Sequence, residues 1–330
     1  MNGKLAGMTS ALALVAVGSL ALAASPVAAQ TIEVDSAFKA YSKVSGVSGN
    51  LSSIGSDTLN NLMTLWAEGF QKQYPNVRIQ IEGKGSSTAP PALIAGTAQL
   101  GPMSRVMRAN ELDDFEKKYG YKPTELKVAL DALAVYVHKD NPVTQLSLPQ
   151  VDGIFSKTKR CGGASAAKWG DVGVKDPAWA SKPISLYGRN SASGTYGFFK
   201  EKALCGGDYK DTVKEQPGSA SVVQGVTADS AGECYSGIGY RTSGVRAVPL
   251  AAKAGAPAYD ASQEEVNAGR YPLSRFLLVY VNKAPGKPAD PLVGEFVRYI
   301  CSKEGQQVVV KDGYFPLSAS LCAAELAKLN

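Results

Sequence analysis

The 330-residue sequence has one histidine, His138. That leaves little room for a His-based metal site or for His-driven acid–base and nucleophilic chemistry. No Cys-x-x-C is present, so neither a dithiol redox motif nor a zinc knuckle is supported. No Gly-x-Ser-x-Gly elbow occurs. Gly-Lys appears at 3–4, 83–84 and 286–287 but is never followed by Ser or Thr, which excludes a nucleotide P-loop. No Asp/Glu/His cluster suggests two-metal hydrolysis. Lys plus Arg (35) barely exceed Asp plus Glu (29), without a basic block, so nothing points to nucleic acid. After the first 30 residues no apolar run reaches the ~18 residues that a membrane span needs.

What is there reads as a globular, exported chain. Hydrophobic residues make up 45% and charged residues 19%, which excludes disorder as the main state, and the length suits about two domains. Residues 1–29 read as a cleaved secretory signal. Lys4 supplies the positive start, Ala11 to Ala24 the apolar stretch, and Pro26-Val-Ala-Ala29 the small residues at the cut, so the mature chain is expected to begin at Gln30. The competing reading, a transmembrane anchor, requires a longer run than one broken by Gly18 and Ser25. All five cysteines, Cys161, Cys205, Cys234, Cys301 and Cys322, follow the signal, where disulfides can form. At most two bridges are available; the preferred pairs are Cys161–Cys205 and Cys301–Cys322.

Alternating strand and helix patterns predict α/β layers with mainly parallel sheets. Leu59, Leu62, Met63, Trp66 and Phe70 recur at helical spacing, and Val77–Ile81 alternates as a strand. Helices are expected from Pro90 to Ala98 and from Ala109 to Tyr119, with a short buried strand at Leu100–Met103 between them. Two apolar strands resemble each other, Ala132–Lys139 and Arg275–Lys283, each followed within a few residues by proline. They are either two crossings between lobes or two strands of one sheet. Helices at 293–302 and 304–310 and a turn at Tyr314–Leu317 close the chain. His138 falls on a strand beside Lys139 and reads as structural.

Three loops carry the functional argument: Gly55-Ser56-Asp57-Thr58, Gly83-Lys-Gly-Ser86-Ser87-Thr88, and Gly188-Arg189-Asn-Ser191-Ala-Ser193-Gly194-Thr195. Each places small hydroxyl residues where a helix is expected to begin. A helix start offers unpaired N–H groups and partial positive charge, glycine lets the backbone approach closely, and Ser/Thr add short donors. Three such loops converging would surround a tetrahedral oxyanion, with Arg189 adding a planar fork. Taken singly, each loop is an ordinary helix cap.

In this order the loops resemble those of the substrate-binding proteins of phosphate ABC importers, over most of the chain from about Val47 onward. Gly188–Thr195 is similar to the family's Arg-x-x-x-Ser-Gly-Thr loop, Gly85-Ser-Ser87 to its second loop, and Ser56-Asp-Thr-Leu59 to its first. The resemblance implies an α/β type II periplasmic binding protein with two lobes joined by two crossing hinge strands, 30–136 plus 276–330 and 137–275. It implies a phosphate site built from Ser56, Asp57, Thr58, Leu59, Ser86, Ser104, Arg105, Arg189, Ser193, Gly194 and Thr195. It further implies inorganic phosphate (HPO4 dianion or H2PO4 monoanion) as ligand, a membrane permease as partner, a monomer in the periplasm, and neither enzymatic activity nor a metal or organic cofactor. The sequence departs from the family pattern twice. Ser104, followed by Arg105, stands where many relatives have Asp, and Ser191 stands where an Asp often orients the arginine. A carboxylate can only accept, so its replacement by serine removes a test for a protonated ligand; Asp57 is the candidate acceptor in its stead. The alternatives are another oxyanion such as sulfate or a phosphonate, or a phosphatase or adhesin on the same fold.

Overall fold

The computed structural model describes Met1 and residues 32–330. The predicted signal segment 1–29 therefore lies outside the described residues, apart from Met1. The described chain opens with β1 (Gly49–Ile54), α1 (Asn60–Gln73) and β2 (Val77–Glu82). It continues through α2 (Ala89–Ala95), β3 (Gly101–Met103), α3 (Ala109–Tyr119) and the 15-residue strand β4 (Thr124–His138). The central part holds β5 (Leu146–Ser147), α4 (Leu148–Phe155), α5 (Pro177–Ala180), β6 (Ser185–Arg189), α6 (Gly194–Ala203), β7 (Lys214–Gln216), α7 (Ser219–Ala228) and β8 (Gly232–Gly237). After β9 (Val245–Ala247), β10 (Leu250–Ala251), β11 (Ala258–Tyr259) and α8 (Gln263–Asn267), β12 (Ser274–Val281) returns, and α9 (Pro291–Ile300), α10 (Lys303–Lys311) and α11 (Ala319–Ala327) end the chain. Among the described residues no helix is long and apolar enough to cross a membrane.

Local sequence explains most of these boundaries. Leu62, Met63, Trp66 and Phe70 share one face of α1 and are fully buried. Pro90 and Pro91 start α2, where a missing N–H costs nothing, and Gly96 stops it at φ 72°. α4 begins with a reciprocal cap in which Ser147 and Gln150 satisfy each other's backbone N–H.

The sheets are mixed rather than mainly parallel. β1–β2, β5–β10, β6–β7 and β6–β8 are parallel, whereas β3–β12, β4–β12, β4–β8, β4–β9 and β10–β11 are antiparallel. The largest sheet runs β3-β12-β4-β8-β6-β7, with β9 also on β4. The cause is β4, which pairs antiparallel with β12 along its first half and with β8 and β9 along its second. β4 and β12 lie side by side in opposite directions, from Ser274 opposite Ala132 to Val281 opposite Thr124, with a register shift at Leu277/Leu278. From Leu133 onward β4 pairs with β8 instead. The first half of β4 was not expected from its pattern. Half-buried Glu125 and Lys127 alternate with buried Leu126 and Val128, as suits the start of a strand with one covered face.

Cys161 and Cys205 form a disulfide across 44 residues, as expected. The second expected pair is not made. Cys301 and Cys322 sit together in a small buried cluster with Phe38 and Leu317, yet both are free thiols, as is Cys234. Being neighbours is not sufficient, because a disulfide also demands a narrow Cβ geometry. Thiol titration of the unfolded chain should count three groups, and Cys205→Ser should lower unfolding free energy by about 4 kcal/mol through released loop entropy.

Glu233 on β8 is fully buried, and both its carboxylate oxygens lack a hydrogen-bond partner. Burial pushes its carboxyl up from 4.5 to about 8, against the pull of Lys210. A folded-state value above the unfolded one means that the stabilisation is complete below the unfolded value and is lost as pH rises through the folded one. Denaturant midpoints should therefore fall from about pH 5 to above 8 in the native protein, and Glu233→Gln should flatten that decline. A parallel decline in the variant would show that Glu233 is not its source.

Candidate functional site

The three loops meet, together with a fourth residue that follows β3. Close backbone approach is what their glycines allow. A Cβ on Gly55 would lie 2.1 Å from the Pro102 carbonyl oxygen, and one on Gly194 would lie 2.1 Å from Ser86 Oγ. Gly85, at φ 119°, passes against Ala192, whose carbonyl accepts the Ser87 N–H at 3.1 Å. Only the third loop leads straight into an α-helix, with Ser193 capping α6 through its hydroxyl to the Tyr196 N–H. Asp57–Leu59 and Ser86–Thr88 are single 3-10 turns ahead of α1 and α2.

At the junction the hydroxyls touch. Thr58 Oγ1 lies 2.8 Å from Thr195 Oγ1, Ser56 Oγ donates to Ser104 Oγ at 2.9 Å, and Ser86 Oγ and Thr195 Oγ1 lie 3.3 and 3.5 Å from Ser104 Oγ. The Ser104 N–H donates to Ser86 Oγ at 3.0 Å. Ser56, Thr58, Leu59, Ser86, Ser104, Ser193 and Thr195 are all buried, none more than 2% exposed. A cluster of mutually bonded hydroxyls shielded from water is a set of convergent donors that an oxyanion can claim.

Arg189 closes β6 and is 1% exposed. Its Nη1 donates to Ser219 Oγ at 2.7 Å and lies 3.0 Å from Asp57 Oδ2, while Nη2 donates to the Pro217 carbonyl at 3.1 Å. Burial pushes its guanidinium down, and Asp57 pulls it back up. Asp57 thus supplies the partner that Ser191 does not. The same Oδ2 accepts the Ser219 N–H at 2.7 Å and the Ser219 hydroxyl at 2.8 Å. Arg105 takes another direction. Its fork grips Glu111 at 2.6 and 2.7 Å, and Nη2 reaches Ser87 Oγ at 3.2 Å. Burial raises the Glu111 carboxyl, but the bonds from Arg105 outweigh it and hold the group below its usual value. Arg105 therefore braces the second loop from behind instead of joining the hydroxyls.

Six residues at the site escaped sequence reasoning. Tyr240 and Tyr314 donate their hydroxyls to the Asp57 carbonyl at 3.0 Å and the Thr58 carbonyl at 2.9 Å, fixing the first turn. Ser219 couples Asp57 to Arg189. Arg275 and Asp131 form a buried ion pair at 2.8 Å whose guanidinium also reaches Thr195. The signal present in the sequence was a charged residue in each of two apolar strands. Behind the third loop, Tyr235 stacks on Phe199 of α6 with ring centroids 4.0 Å apart and accepts the Arg189 N–H at 3.2 Å. Among the described residues no three His, Cys, Asp or Glu side chains gather as metal ligands.

The fold and this junction define a binding protein for a small oxyanion. Residues 40–304 match the family model of the PBP superfamily domain. The chain is 58% identical over 328 residues, 99% of each sequence, to the phosphate-binding protein PstS of Pseudomonas aeruginosa. Its fold matches a Clostridium perfringens structure with bound phosphate (TM-score 0.68, 24% identity, covering 82% of this chain and 100% of that one). It also matches an ABC-type phosphate transport receptor from Vibrio cholerae (TM-score 0.63, 22% identity, covering 81% and 100%). The chain belongs to the PBP superfamily, with the type II periplasmic binding fold, and within it to the phosphate-binding protein family.

Removing one charge of the Asp57–Arg189 pair leaves the other buried without compensation. Asp57→Asn should lower the unfolding free energy in urea by about 3 kcal/mol. An unchanged midpoint would mean that Ser219 and Pro217 suffice to hold Arg189.

Proposed function

We propose that this chain binds inorganic phosphate in the periplasm and delivers it to the membrane permease of an ABC importer, as a monomer and without catalysing a reaction. The observation that carries this reading is the convergence of Thr58, Ser86, Ser104 and Thr195, from separate loops, into one buried hydroxyl contact beside Arg189. The 58% identity to a phosphate-binding protein supports the same ligand.

Binding follows from these contacts. The hydroxyls now bond to one another; an HPO4 dianion or H2PO4 monoanion replaces those bonds with charge-assisted ones, which are roughly twice as strong. Thr58, Leu59 and Ser86 approach it from one side and Ser193, Gly194 and Thr195 from the other. Arg189 and Ser104 complete the shell, and Asp57, whose Oδ2 is occupied, accepts the ligand's proton through Oδ1. Because the loops are in contact, entry requires them to part. Segments 32–136 plus 276–330 and 137–275 act as two lobes, and β4 and β12, which run through both, flex between them. The anion bridges the lobes and shifts the population toward the closed form that the permease reads.

Isothermal titration of ligand-stripped protein should show tight binding of phosphate and arsenate from pH 5 to 9 and no heat with sulfate. Asp57→Asn should narrow the preference for phosphate over sulfate by tenfold or more. Equal sulfate binding in the native protein would reassign the ligand, since Ser104 then sets no proton test. No anion binding at all would sink the reading.

A further inference from the structure

We propose that Arg275, anchored by Asp131, is a positioning residue that forces the Thr195 hydroxyl to act as a donor in the anion site; this rests on the oxyanion-binding reading above. Arg275 on β12 faces Asp131 on β4 as its direct cross-strand neighbour. Their side chains are 3% and 0% exposed. An ion pair this deep costs more desolvation than apolar side chains of the same size would, so stability alone does not account for it.

The hydrogen bonds identify what else it does. Asp131 is held on both oxygens: Oδ2 accepts from Arg275 Nε at 2.8 Å and lies 2.8 Å from Nη2, while Oδ1 accepts the Ile238 N–H at 2.9 Å. The carboxylate therefore fixes the plane of the guanidinium. Two of its donors then point away from Asp131. Nη1 donates to the Ser104 carbonyl at 2.8 Å, and Nη2 donates to Thr195 Oγ1 at 3.0 Å. The guanidinium also lies over the Phe198 ring of α6, 5.2 Å from its centroid. Arg275 is thus in contact with the loop after β3 and with the start of α6 at once.

A guanidinium has no acceptor, so at the Arg275 contact Thr195 Oγ1 must accept. Its own proton has to leave in another direction. Thr58 Oγ1, at 2.8 Å, and Ser104 Oγ, at 3.5 Å, are the acceptors within reach, and both belong to the hydroxyl cluster. Ser86 is polarised in the same sense, because it accepts the Ser104 N–H and Arg275 holds the carbonyl of that same residue. A threonine in water donates and accepts with equal ease; this one is fixed as a donor before any ligand arrives. Such preorganisation favours an oxygen that carries full negative charge over a neutral P–OH.

The test is a double-mutant cycle on the full chain, read by isothermal titration with phosphate. Arg275→Lys keeps the charge but cannot span Asp131, Ser104 and Thr195. Arg275→Lys and Thr195→Val should each weaken phosphate binding at least tenfold. In the Arg275→Lys background, Thr195→Val should cost less than threefold more, because the hydroxyl is no longer directed. Losses that multiply would overturn the proposal, as would native affinity in Arg275→Lys. Should Arg275→Lys fail to fold, native protein labelled with 15N-arginine gives a second reading. The Arg275 Nη protons should be slowly exchanging and should shift when phosphate is added; signals that do not respond overturn the proposal. Native protein that binds no phosphate would overturn the functional reading instead, which is a separate result from a native protein that binds phosphate with an additive cycle.

Discussion

Two guanidinium groups buried beside a knot of hydroxyls persist only if nearly every donor finds an acceptor, and this requirement organises the molecule. An unpaired charge at such depth costs several kcal/mol. Arg189 is met by Asp57, Ser219 and Pro217, and Arg275 by Asp131, Ser104 and Thr195. Those partners come from distant parts of the chain: a turn before α1, the loop after β3, β4, and the starts of α6 and α7. Satisfying two arginines therefore specifies how these segments must sit. Apolar packing alone tolerates small slides; a guanidinium whose donors go to three fixed acceptors does not.

The same constraint explains the use of tyrosine near the site. Tyr240 and Tyr314 hold successive carbonyls of the Asp57–Thr58 turn, and Tyr235 holds the Arg189 N–H. Each presents a ring to the core and a hydroxyl to a backbone atom, so a buried turn is tied down without adding charge. Their phenols are pushed up by burial, so they stay protonated, Tyr240 and Tyr314 as donors to the turn and Tyr235 as the acceptor of the Arg189 N–H.

Much of the site was legible in order along the chain because loop chemistry is local. Ser56–Thr58, Ser86 and Arg189–Thr195 sit in short motifs whose glycines mark close approach, and the structure brings them into contact. Arg105 misled because adjacency to Ser104 says nothing about direction. Its fork is taken by Glu111, whose relation to it depends on how α3 folds back. Arg275 and Asp131 were hidden for another reason: each looks like a boundary or solvent-facing residue of an apolar strand, and only the antiparallel register sets them opposite each other. The mixed sheet and α11 escaped for similar reasons. Strand direction is decided by long-range return of the chain, and Ala319–Ala327 buries only two residues, so its apolar periodicity is weak. Cys301 and Cys322 show the limit of spacing arguments, which can place two thiols near each other but cannot establish the geometry that joins them.

Because both arginines already have carboxylate partners, the site meets an anion with little net charge of its own. Attraction then comes from oriented dipoles: hydroxyls polarised toward one point and backbone N–H groups at the starts of turns and of α6. Dipoles fixed in a dry pocket discriminate by position, since each donor serves only an oxygen that lies along its own bond direction. A tetrahedral anion fits that demand, but charge and shape barely distinguish sulfate from phosphate. The difference is one proton, which only an acceptor can detect. With serine at 104, that discrimination falls, on the proposed reading, to Asp57. This carboxylate also pairs with Arg189, so on that reading selectivity and the integrity of the site depend on the same side chain. A loss of one is then expected to accompany a loss of the other, which sets Asp57 apart from the hydroxyl residues around it.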